Sequence, residues 1–116
     1  MQSLEIFKQM APVLEKDGAE IVKKVGCLYH FELRKAKADS PVIVTVDLKN
    51  GNGKVSFEKE GTPDCTFVML DADFVKMSQG KLKPQQAFMT GKMKIKGNMA
   101  KAMKFNPNVL PKGAKL

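Results

Sequence analysis

Apolar residues recur at three- and four-residue spacing from Leu4 to Leu14, where Leu4, Phe7, Met10, Ala11 and Leu14 form one helical stripe behind a Ser3 cap. Pro12 should kink or divide that helix, because its ring removes a backbone donor and crowds the preceding turn. Asp17-Gly18-Ala19-Glu20 has capping-box spacing and predicts a separate short helix over Ala19–Lys24, stopped by Gly26. The period then changes to two. Cys27, Tyr29, Phe31 and Leu33 alternate with Leu28, His30, Glu32 and Arg34, and after Pro41 the residues Val42, Val44, Val46 and Leu48 share one strand face. Asn50-Gly51-Asn52-Gly53 is a hairpin signal, because Asn and Gly tolerate the positive φ of tight turns. Val55 and Phe57 continue as the return strand, and Cys65, Phe67 and Met69 mark a fourth strand.

Helical spacing returns at Asp71, which should cap a short helix carrying Phe74, Val75 and Met77 and ending at Gly80. Pro84 is preset for the first turn of another short helix through Phe88. Lys92, Lys94 and Lys96 alternate with Met93 and Ile95 in a fifth strand, and Asn98 can cap a last helix with Met99, Ala102 and Met103 aligned. The order of elements predicts an α+β fold with helices covering one side of a sheet. At 116 residues the chain is long enough for one core without disulfides. Its two cysteines, Cys27 and Cys65, fall on presumed buried strand faces, where inert packing is the common role.

Charge changes the picture along the chain. The formal net charge of +8 comes from residues 74–116, which hold ten lysines and no acid, while all twelve acids lie in residues 1–73. Such a field suits nucleic acid, an anionic membrane surface or plain solvation. Nucleic acid is the weakest of these, since Arg34 is the only arginine, Trp is absent, and neither base-edge forks nor stacking platforms are available. Six of the eight methionines lie at Met69 or beyond, a composition suited to a deformable apolar interior, although ordinary core filling explains it as well. No catalytic constellation is legible. His30 has no nucleophile at motif spacing, Asn50–Lys54 reads as a turn and not as a phosphate loop, and Asp71 with Asp73 sits at a helix start, where the dipole accounts for both. No metal or cofactor is expected.

The run from Pro63 to Phe105, above all Gly80-Lys81-Leu82-Lys83-Pro84-Gln85-Gln86-Ala87-Phe88 and Gly91-Lys92-Met93-Lys94-Ile95-Lys96-Gly97-Asn98-Met99, resembles the sterol carrier protein 2 family. The segments Gly18–Gly26 and Val46–Gly51 extend the resemblance over essentially the whole chain. It implies a five-stranded, mostly antiparallel sheet covered on one side by about five short helices and enclosing an apolar lipid tunnel. The positions that match the tunnel wall are Val46, Leu48, Phe67, Met69, Phe74, Met77, Phe88, Met93, Ile95, Met99 and Met103. Gln85 matches a polar position near the mouth. Many members carry a Trp in the second strand, where this chain has Val44.

The resemblance further implies a non-enzymatic carrier of fatty acids, fatty acyl-CoA or sterols, spanning residues 1–105. Residues 106–116 read as a flexible tail ending in Ala114-Lys115-Leu116, a variant of the S-K-L address. That tripeptide predicts a peroxisomal import receptor as partner and residence in the peroxisome with a cytoplasmic pool. The lysine field adds an anionic membrane surface as an expected partner. The alternative is a lipid-presenting carboxy-terminal domain of a larger peroxisomal oxidation enzyme.

Overall fold

A computed structural model describes residues 2–36, 40–51, 53–102 and 104, with the side chains of residues 2 and 84 left aside. Among the described residues the elements follow as α1 (Gln2–Val25), β1 (Cys27–Arg34), β2 (Val42–Leu48), β3 (Lys54–Ser56), β4 (Cys65–Leu70), α2 (Asp71–Ser78), α3 (Pro84–Met89), β5 (Met93–Gly97) and α4 (Met99–Ala102). The fold is α+β, with five strands in one open mixed sheet ordered β3-β2-β1-β4-β5. Its pairings are antiparallel except for β1 with β4, which run parallel.

The first helix corrects the sequence reading, because α1 passes through both Pro12 and Gly18 without a break. The two predicted stripes are in phase. Ile6, Phe7, Met10 and Leu14 are buried, and Gly18 and Val25 continue the same side three or four or seven residues further on. Pro12 is exposed, and the carbonyl it leaves unpaired belongs to exposed Lys8, where water can serve. A proline inside a helix costs about 3 kcal/mol, while each large side chain buried along the stripe returns about 1.5–3 kcal/mol, so continuity wins. Ser3 is likewise inside the helix and is not its cap. Its N–H donates to Asp71 Oδ1 at 2.8 Å and its hydroxyl donates to the same oxygen, tying the start of α1 to the start of α2. Asp71 is thereby spent on α1 and does not cap its own helix, whose N-cap position is Leu70.

The strands lie close to the predicted positions, with β3 stopping at Ser56 and leaving Phe57 on the surface. Register sets the two faces. Tyr29 pairs with Val46 on one side and Cys65 on the other, Phe31 with Val44 and Phe67, and Leu33 with Val42 and Met69, so these residues share one inner face. The helices cover that face: Phe7 of α1 stacks on Phe74 of α2 at 4.6 Å, and both approach Phe31, at 5.3 and 5.7 Å.

The outer face is closed differently. After β3 the chain crosses over β2 and β1 to reach β4 on the far side, which is why β4 runs parallel to β1. On the way Thr45 Oγ1 donates to Glu58 O at 2.7 Å, Glu60 N–H donates back to Thr45 Oγ1, and His30 Nε2–H donates to Glu60 O at 2.7 Å. Buried His30 and Thr45 are thus satisfied parts of a strap.

Candidate functional site

The inner face brings together most of the residues expected to wall a tunnel. Val46 and Leu48 of β2 and Phe74 of α2 are fully buried, and Phe67, Met69, Met77 and Met93 are nearly so. Ile95 is partly buried and packs against the same core. Phe67 pairs with Ile95 and Met69 with Met93 across β4 and β5, which sets two methionines side by side on one wall. These unbranched, polarizable side chains can repack around a guest at lower cost than branched ones.

The remaining expected positions stand apart. Gln85 is exposed on α3, and Phe88 and Met99 are 42% and 43% exposed, at the rim of the layer. Met103 and the tripeptide Ala114-Lys115-Leu116 lie outside the described residues. The structure also adds residues that the resemblance did not single out: Tyr29, Phe31 and Phe7 fill the centre of the same layer, with Phe31 stacked on Phe67 at 5.0 Å. Their signal was present in the sequence as the apolar sides of the first helix and first strand.

Polar anchors close one end of the inner face. Asp64 accepts the Leu28 N–H at 2.9 Å and pairs with Lys101 Nζ at 3.0 Å. The Leu28 N–H first, and Lys101 second, hold its carboxyl below the usual range, and the same ion pair raises the Lys101 ammonium. Tyr29 donates its hydroxyl to Lys101 O at 2.7 Å, and Cys65 Sγ donates to Asn98 O at 2.8 Å. Burial pushes the Tyr29 phenol and the Cys65 thiol up, so both stay neutral, and the face carries no buried charge from either. Asn98 Oδ1 accepts the Lys101 N–H at 3.1 Å, as expected for the cap of α4. Together these bonds seat α4 over β4 and β5. What results is an apolar layer between sheet and helices, suited to holding acyl or ring carbons and lacking the paired acid, base or nucleophile that chemistry would need.

Comparison with known proteins decides the lineage. The sequence profile described as the SCP-2 sterol transfer family matches residues 7–109. The chain belongs to the SCP-2 sterol transfer family. It is 40% identical to human "Sterol carrier protein 2" over 112 residues, covering 96% of this chain and 20% of that protein. The chain therefore spans about a fifth of the length of that curated relative. The Arabidopsis thaliana "Sterol carrier protein 2" is 39% identical and is matched over 96% of its own length. Among solved structures, the apo form of Sterol Carrier Protein 2 from Yarrowia lipolytica superposes with a TM-score of 0.76 at 34% identity, covering 86% of this chain and 90% of that one. The mixed five-stranded sheet with helices on one face is thus the SCP-2 architecture.

Proposed function

We propose that this chain is a non-enzymatic lipid carrier, taking fatty acids, fatty acyl-CoA or sterols between the inner sheet face and its helices. The observation that carries the reading is the continuous apolar layer of Val46, Leu48, Phe67, Met69, Phe74, Met77, Met93 and Ile95, in a chain of the SCP-2 sterol transfer family. Burying an acyl methylene returns about 0.8 kcal/mol, so a chain of ordinary length supplies the affinity without any charged contact inside. Phe88, Met99, Met103 and Gln85 are assigned to the rim, where a head group would leave the apolar layer. Native mass spectrometry of the purified protein with extraction of bound lipid tests this. A protein that emerges empty and binds no fluorescent fatty acid refutes it.

The Arabidopsis relative favours the carrier over the alternative of a domain at the end of a larger oxidation enzyme, since it matches this chain over nearly its whole length. Ala114-Lys115-Leu116 is proposed as a peroxisomal address read by an import receptor, leaving a cytoplasmic pool before import. A fluorescent protein fused ahead of residues 1–116 should enter peroxisomes, and deletion of Leu116 should leave it in the cytosol. The lysines of residues 74–104 support contact with anionic membranes, which should weaken with salt.

A further inference from the structure

Large apolar side chains exposed among the described residues are Phe57, Phe88, Met89 and Met99, and two of them are adjacent at the end of α3. Met89 is 83% exposed, the most open of the four. Its position follows from the helix: Ala87 is the residue α3 buries, and Met89 lies about 160–200° around the axis from it, so it must point outward. Nor is the turn beyond it loose. Lys92 N–H donates to Ala87 O at 2.9 Å and Gly91 N–H to Phe88 O at 3.2 Å, the paired bonds of a Schellman stop, with Gly91 at φ 76° where a side chain would be strained. Thr90 Oγ1 donates to Gln86 O at 2.8 Å and closes the last turn. The tip is therefore held in shape with its two apolar side chains offered to the outside.

Its surroundings are uniformly positive. Lys81, Lys83, Lys92, Lys94 and Lys96 are exposed, none of them reaches a carboxylate among the described residues, and no acid occurs in the sequence after Asp73. A rigid apolar tip ringed by unpaired ammonium groups on long stems fits a bilayer whose headgroups are negative and whose acyl boundary lies just beneath.

We propose that the α3–β5 turn, with Phe88 and Met89 between Lys83 and Lys92, is the surface by which this protein docks on anionic membranes. The docking gives the proposed carrier a place to exchange cargo, and it rests on that reading only for its purpose, since vesicle binding is measured without cargo. The chain has no Trp, so Met89→Trp introduces a single indole. On vesicles of phosphatidylcholine with phosphatidylglycerol its emission should shift to the blue and be quenched by brominated acyl chains, with no change on phosphatidylcholine alone. Met89→Glu should lower vesicle affinity tenfold or more, and Lys83→Glu with Lys92→Glu by a comparable factor, about fivefold per lysine removed from the surface.

Met89→Glu should leave thermal stability and fluorescent fatty-acid binding in vesicle-free buffer unchanged. An indole that stays water-exposed while the protein sediments with vesicles, or Met89→Glu binding within twofold of the unmodified protein, overturns the proposal. So does a concentration-dependent dimer abolished by Met89→Glu, which would assign the tip to a second copy. Absence of fatty-acid binding by the unmodified chain counts instead against the carrier reading.

Discussion

Phe74→Ala is the substitution that bears hardest on the inner layer. Phe74 is fully buried, stacked on Phe7 at 4.6 Å and edge-on to Phe31 at 5.7 Å, so truncation removes the ring through which α2 meets both α1 and the sheet. Deleting a buried phenyl costs about 3–5 kcal/mol, and aromatic pairing adds about 0.5–1.5 kcal/mol per pair beyond area, so the loss should sit at the upper end of that range. Against a total stability of about 5–15 kcal/mol the variant remains folded but lowered, with a Tm drop of about 10–20 °C for a domain of this size. The same truncation opens space where cargo is proposed to lie. A ligand that binds only the native state stabilises it by about 2.7 kcal/mol at a hundredfold excess over its Kd, so a saturating fatty acid should restore a larger part of Tm in Phe74→Ala than it adds to the unmodified protein. Differential scanning fluorimetry with and without fatty acid measures both effects. A Tm loss below about 3 °C would refute the packing argument, and equal ligand increments in the two proteins would place the cargo away from Phe74.

Gly97 has φ 107° and a Cβ there would lie 2.5 Å from Asp64 O, so Gly97→Ala should break the end of the β4–β5 pairing and cost about 2 kcal/mol or more, read by urea unfolding and by faster amide exchange in β5. Pro12→Ala supplies the donor that Lys8 O lacks on an exposed face and should raise stability by about 1–3 kcal/mol; an unchanged urea midpoint would mean that the helix already compensates for the ring. Because the folded carboxyl of Asp64 is depressed, its contribution is complete above the ordinary carboxylate range and disappears as pH falls through the folded value. Asp64→Asn should therefore destabilise at pH 7 and flatten the acid side of the stability curve, and a parallel downward shift at pH 7 and pH 3 would contradict that assignment.

The strands were readable because half-buried strands carry their burial in period two: Cys27, Tyr29, Phe31 and Leu33 alternate with partners on the strap face, and the structure keeps that alternation with His30 as an exception that tertiary bonds explain. The glycine stops at Gly80 and Gly91 and the cap at Asn98 were equally legible, since each is a local backbone requirement. What local rules misjudged were Pro12, Ser3 and Asp71. In each case a long-range gain outweighed a short-range preference: the in-phase stripe of α1 carries it across Pro12, and a bond between residues 68 apart diverts Ser3 and Asp71 from capping. The site was legible where it coincides with strand alternation, as at Val46, Phe67 and Met93. The exposure of Phe88 and Met89 depends on how α3 turns into β5, which no periodicity in six residues can specify.

The parallel seam between β1 and β4 bears on the order in which the molecule assembles. The β1–β2–β3 meander and the β4–β5 hairpin each close over short stretches of chain, whereas Tyr29 must find Cys65 across 36 residues and must wait for the strap to be laid over β2. Loop-closure entropy makes that encounter the slow one, so the amides joining the two strand groups should be the last to gain protection in pulsed hydrogen exchange during refolding. Until then the acid-bearing half and the lysine half are separate nascent units, each with one uncovered apolar strand edge. The refolding chain is most exposed to self-association at that stage, and a seam already protected in the earliest pulse would show that the two halves do not form independently.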